Sequence, residues 1–197
     1  MGATCKKLHK QFIEINMKKL LACSLLCAFS LIANAQSIGS FLDFYLGQSI
    51  SEAKIIVNSK YPSASWDNNK CTIKNVRIAG EDFKSLDLYF ENNKLTSGRF
   101  CQSTFNLDCS SYEEAKRYVD NVSPQYINMI SRLYSLFKSK YGKESYSTNN
   151  TLVWRGANGN SITIELRQTV EDVGYGSYAG TVAAFLTYEL TSNLGNY

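Results

Sequence analysis

Three things are scarce in this sequence, and each scarcity excludes something. Histidine occurs once, as His9, and proline twice, as Pro62 and Pro124. No apolar run reaches the ~20 residues that a membrane-spanning helix needs. The two prolines leave no Pro-rich linker, and no Ser/Gly-rich or charged segment divides the chain, so one compact unit is expected. The lone histidine matters most, because of where it lies.

His9 stands upstream of a segment that reads as a secretory leader. Lys18 and Lys19 follow Met17, the apolar run of residues 20–32 comes next, and Ala33-Asn34-Ala35 precedes Gln36. A charged start, a short apolar centre and a small-x-small site are the parts of a cleavable signal peptide, with processing between Ala35 and Gln36. Residues 17–35 are therefore expected to be removed, and residues 1–16 read as an extension ahead of the true start. Leu20-Leu21-Ala22-Cys23 loosely fits a lipidation box, but it leaves too few apolar residues between Met17 and the cysteine. The expected product is exported, periplasmic or extracellular, and carries no transmembrane segment.

That cut changes the chemistry of what remains. Lys6, Lys7, Lys10, Lys18, Lys19 and Glu14 go with the leader, which takes 21 basic and 17 acidic residues to 16 of each. A neutral chain without a basic stripe gives no electrostatic reason to bind nucleic acid or anionic membrane. Without histidine there is no Ser-His-Asp or Cys-His pair, no imidazole base and no His-ligated zinc. Neither G-x-S-x-G nor a working S-x-x-K nucleophile motif appears. Ser135-Leu136-Phe137-Lys138 has the second spacing only in form, because Phe137 belongs to an apolar helix stripe. No cofactor and no metal site is expected. Cys71, Cys101 and Cys109 remain, and in an oxidising compartment Cys101 and Cys109, which bracket a short polar loop, are the expected disulfide, with three free buried thiols as the alternative.

What is present reads as α+β. Ser49 with Glu52 forms a capping box that opens a helix over residues 50–60, stopped by Pro62. Runs at 71–79, 83–90 and 95–101 alternate like strands, with a bulge suggested near Lys74-Asn75 and a tight turn at Glu91-Asn92-Asn93-Lys94. A second helical region starts at Ser111 and restarts at Ser123-Pro124, its stripe Tyr126, Ile130, Leu133, Phe137 and Tyr141 ending at Gly142. Strands at 151–155, 161–168 and 181–190 close the chain, with a turn at 156–159. The expectation is two helix-plus-three-strand units, halves 41–103 and 110–190 of a domain spanning 36–197, forming one antiparallel sheet with helices packed on one face.

The first half resembles small envelope proteins of the outer-membrane assembly lipoprotein type and the β-lactamase-inhibitor-protein-like fold. Leu46-Gly47-Gln48-Ser49-Ile50-Ser51-Glu52-Ala53 and Tyr89-Phe90-Glu91-Asn92-Asn93-Lys94-Leu95 carry the likeness over about 50 residues. The Ala-Asn-Ala-Gln site also resembles those of exported proteins from Bacteroidetes. The resemblance implies a non-enzymatic protein that binds another protein over a sheet face or loops. It departs from the assembly lipoproteins in lacking a lipidation cysteine at the mature N-terminus.

The candidate binding residues are Tyr175, Tyr178, Glu171 and Asp172, in the glycine-rich loop 169–180, which reads either as a long hairpin connection whose tyrosines fold back onto the sheet or as a loop whose tyrosines serve as protein-recognition anchors. Tyr89 falls on the polar side of its strand and reads as a cross-strand partner. Glu81-Asp82 and Glu171-Asp172 are adjacent carboxylates read as solvated turns, since neighbours in sequence do not face each other across a substrate. The expected function is recognition of another protein through a sheet face or segment 169–180. The alternatives are a small-ligand or glycan binder with a cavity lined by Tyr126, Tyr134 or Trp154, and a hydrolase that works without histidine.

Overall fold

The structure is a computed structural model and describes residues 37–190. The leader, the Ala35/Gln36 processing site and the extension at 1–16 lie outside the described residues. The elements are β1 (Ser40–Phe41), β2 (Phe44–Tyr45), α1 (Ile50–Lys60), β3 (Ser65–Asp67), β4 (Lys70–Ile78), β5 (Glu81–Glu91), β6 (Lys94–Cys109), α2 (Tyr112–Tyr141), β7 (Tyr146–Ser147), β8 (Thr151–Arg155), β9 (Ser161–Gly174) and β10 (Ser177–Glu189). The fold is α+β. Strands β3 to β10 form one eight-stranded antiparallel sheet in the order β3-β4-β5-β6-β10-β9-β8-β7, and β1 pairs with β2 separately.

Each helix precedes four strands rather than the expected three. The two overlooked strands, β3 of three residues and β7 of two, lie at the opposite edges of the sheet. Segments this short present no alternation to read, and a short edge strand offers little backbone to a stray chain. The order is symmetric about the β6–β10 pair, where the two four-stranded meanders join.

Local signals explain most boundaries. Ser49 Oγ accepts from the Glu52 amide at 3.3 Å while the Glu52 carboxylate accepts from the Ser49 amide at 2.9 Å, which closes the capping box of α1. Asn92 and Asn93 both have positive φ, 49° and 61°, as a tight type I′ hairpin between β5 and β6 requires. Ser111 caps α2 through the Glu114 amide at 3.2 Å. At the other end of α2 the Gly142 carbonyl accepts from Trp154 Nε1 at 3.0 Å, which fixes the buried indole.

Three expectations are corrected here. Helix α2 does not restart at Ser123-Pro124 but runs unbroken for 30 residues with Pro124 inside it. Ser123 Oγ turns back to donate to the Val119 carbonyl at 2.6 Å instead of capping a new helix, and it accepts from Gln168 Nε2 on β9 at 2.5 Å. The continuous buried row Val119, Tyr126, Met129, Leu133 and Phe137 holds the helix against the sheet across the proline. Second, the suspected bulge near Asn75 leaves the β4–β5 register unshifted: Lys74 pairs with Ser85 and Val76 with Phe83. Asn75 has φ of 53°, and both strands skip one residue opposite each other, so Ile73, Val76, Phe83 and Leu86 all turn inward.

Third, Cys101 and Cys109 do not bracket a loop. Both lie on the single strand β6, where Cys101 pairs with Phe185 and Cys109 with Tyr178 of β10. At a rise of about 3.3 Å per residue their Cα atoms stand roughly 25 Å apart, whereas a disulfide tolerates about 7 Å. All three described cysteines are free thiols.

Both helices lie on one face. Along β10, Val182, Ala184, Leu186 and Tyr188 are buried on that side, and Tyr188 meets Phe137 of α2 edge-on at 6.5 Å. Phe41 stacks on the same Tyr188 at 4.8 Å and packs through Phe44 and Tyr61 to α1, so one buried cluster unites helices, sheet and the β1–β2 ribbon. No helix among the described residues is long and apolar enough to cross a membrane.

Candidate functional site

Because side chains alternate across a strand, the residues between the buried ones on β10 point to the other face, on which neither helix packs. At its centre Phe185 lies between Cys101 of β6 and Glu165 of β9. The Arg99 guanidinium sits 4.0 Å from the Phe185 ring centroid and that of Arg167 5.1 Å, a cation–π arrangement from two sides. Glu165 takes Arg167 in a two-point ion pair at 2.6 and 3.2 Å. Arg99 has no ion pair among the described residues. Further along, Asp87 accepts from Thr72 Oγ1 at 2.7 Å and pairs with Lys70 at 3.0 Å, beside Tyr89. Tyr89 is thus a cross-strand partner, with Lys70 Nζ 5.5 Å from its ring centroid.

Segment 169–180 is not a loop. It is the far end of the β9–β10 hairpin, closed by a two-residue turn at Tyr175-Gly176 with φ of 57° and 77°. Positive φ at both central residues is the type I′ geometry whose twist matches a hairpin. A tyrosine in the first of them is unusual, since a bulky L-residue is disfavoured there. Tyr175 is wholly in solvent, at 109% relative exposure. Tyr178 is half-buried and meets Tyr112, at the start of α2, edge-on at 6.3 Å, so it braces the hairpin against the helix.

The remaining two candidates separate. Glu171 pairs with Ala179 and Asp172 with Tyr178, which places them on opposite faces of the sheet. Asp172 caps the turn by accepting from the Gly174 amide at 2.8 Å. On the bare face beside Glu171 the strands carry three exposed apolar residues: Phe105 (58%), Leu107 (52%) and Val173 (50%). The run of segment 102–108 in sequence, polar residues interrupted by Phe105 and Leu107, is a strand pattern with one greasy face; reading it as a polar loop hid both.

A cleft of about 430 Å³ opens where β5 parts from β6. The last β5–β6 pair is Ser85 with Cys101; beyond it the Lys84 amide donates to the Gln102 side chain at 3.1 Å instead of to a strand. The cleft is lined by Glu81 and Lys84 of β5, Gln102 to Thr104 of β6, and Tyr126, Met129 and Arg132 of α2. Arg132 holds Glu81 through Nε at 2.5 Å and Nη2 at 2.9 Å, so Glu81 belongs to an ion pair and not to a solvated turn. The Arg132 hydrogen bonds keep the Glu81 carboxyl below the ordinary carboxylate range, and burial pushes the Tyr126 hydroxyl up to about 12.

Burial raises the Cys71 thiol to about 11, which leaves it a poor nucleophile. Of the residues considered for a ligand cavity, Trp154 is enclosed in the core, Tyr126 borders the polar open cleft, and Tyr134 edges a separate shallow groove with Glu144 and Leu152. Among the described residues no three His, Cys, Asp or Glu side chains come together to hold a metal ion. No family model, no curated protein and no solved structure matches this chain.

Proposed function

We propose that this is an exported, non-enzymatic protein that binds another protein through the bare sheet face and the tip of the β9–β10 hairpin. Tyr175 carries the reading: a large aromatic side chain stands fully in solvent, on a backbone conformation that disfavours it. Strain kept at a surface position is a pointer to use, since asparagine or glycine would close the same turn more easily. The bare face supports the reading with exposed Phe105, Leu107 and Val173 and with Phe185 between two arginines, the residue types enriched at contact surfaces. Export is supported by the leader pattern of residues 17–35.

The competing readings find less support. An apolar ligand would need a largely enclosed apolar pocket, and the cleft between β5 and β6 is open and lined by Glu81, Lys84, Gln102 and Arg132. A hydrolase would need two converging carboxylates, but Glu171 and Asp172 face apart and Glu81 is committed to Arg132.

The test is capture of a partner from an extract of the producing cell's envelope and medium, using the purified protein and a Tyr175→Ala, Phe185→Ala double variant. Loss of one specific partner with an unchanged melting temperature supports the reading. Undiminished capture by the folded double variant would rule this surface out.

A further inference from the structure

Between residues 102 and 109, β6 pairs with β10 on one side and with no described strand on the other, because β5 has peeled away. The direction of its backbone groups follows from one bond. The Leu190 amide donates to the Thr96 carbonyl, so Thr96 faces β10, and by alternation so do Gly98, Phe100, Gln102 and Thr104. The odd-numbered residues face β5, and Ser103 and Phe105 therefore aim N–H and C=O into the gap. A row of backbone donors and acceptors is complementary to one thing above all, the backbone of another extended chain.

We infer that residues 103–107 of β6 accept an extended segment of a partner protein as an added strand. This deepens the protein-binding reading and rests on it. Side-chain selectivity follows from the two walls. Residues of the incoming strand on the bare face lie beside Phe105 and Leu107 and are apolar. Those on the helix side face the cleft, where Lys84 is a cation with no ion pair among the described residues, Glu81 being taken by Arg132 and Asp82 by Arg77. The helix-side positions therefore favour a carboxylate.

The probe is a capped peptide of about seven residues, the length of the free edge, alternating valine with threonine and glutamate, and a second with glutamine in place of glutamate. Amide exchange is read residue by residue on the purified protein. With the glutamate peptide, exchange at Ser103 and Phe105 slows about tenfold or more, while Gln102 and Thr104, already bonded to β10, do not change. Phe105→Pro removes that protection, whereas Phe105→Ala, which keeps the amide, retains it at Ser103. Lys84→Glu weakens the glutamate peptide and not the glutamine one. The inference is overturned if neither amide slows, if protection appears instead around Phe185, or if a concentration-dependent dimer already protects both amides without peptide. Capture of a partner that depends on Tyr175 but persists in folded Phe105→Pro protein would sink the added strand and leave the binding reading standing. Strand protection without any Tyr175-dependent capture would do the reverse.

Discussion

Gly98 lies beneath the ring of Phe41, so the β1–β2 ribbon rests on a strand position that has no Cβ. A methyl group there would enter the ring, and Gly98→Ala is expected to destabilise by about 1–3 kcal/mol, the usual range for overpacking, measured by urea unfolding. Tyr175 works in the opposite sense. Tyr175→Asn relieves a bulky residue at φ of 57° and is expected to stabilise by roughly 0.5–1 kcal/mol while weakening partner capture. Equal loss of stability and binding would refute the idea that strain is retained for contact. Glu81 has its carboxyl held below the ordinary 4.5 by Arg132, so the pair stabilises the fold above that value and the contribution disappears as pH falls through the folded-state pKa. Glu81→Gln should therefore lower the urea midpoint at pH 7 and lose less stability than the parent between pH 5 and 3. The ion pair was invisible beforehand because Glu81 and Arg132 stand 51 residues apart.

At the scale of elements, α2 shows how packing overrides a local stop signal. Pro124 removes one backbone donor and crowds the preceding turn, at a typical cost of about 3 kcal/mol in a helix interior. The buried row from Val119 to Phe137 and the Ser123–Gln168 link outweigh it. Pro124→Ala is expected to raise the midpoint of thermal unfolding without altering helix content, and a fall would mean that the proline shapes the helix to the sheet. Strand β6 departs from its local pattern for a related reason. Its polar second half looks like a loop when read alone, yet β10 supplies a ladder partner for it as far as Cys109. If that strand is continuous, alkylation of the unfolded protein without reductant should label Cys71, Cys101 and Cys109 alike. An oxidised Cys101–Cys109 peptide in mass mapping would contradict the fold itself.

At the scale of the molecule, the order β3-β4-β5-β6-β10-β9-β8-β7 sets β6 and β10 side by side at the centre, and both helices lie on one side. That arrangement leaves a bare face, a projecting hairpin and the unpaired edge of β6 beyond Cys101, the three features that support binding. None of them is a property of a residue type.

The sequence by itself determined the features that depend on near neighbours. These are the capping box of α1, the Asn92-Asn93 turn, the alternation in β5 and β9, the stripe of α2 and the α+β class, all set by contacts within a few residues. It also placed the one histidine, His9, outside residues 37–190. Tertiary structure alone decided which strands are neighbours, that Glu171 and Asp172 face apart, that Cys101 and Cys109 stand on one strand, and that β5 leaves β6 at Ser85. Those outcomes rest on pairings between residues tens of positions apart, for which local pattern carries no signal and only burial and register choose.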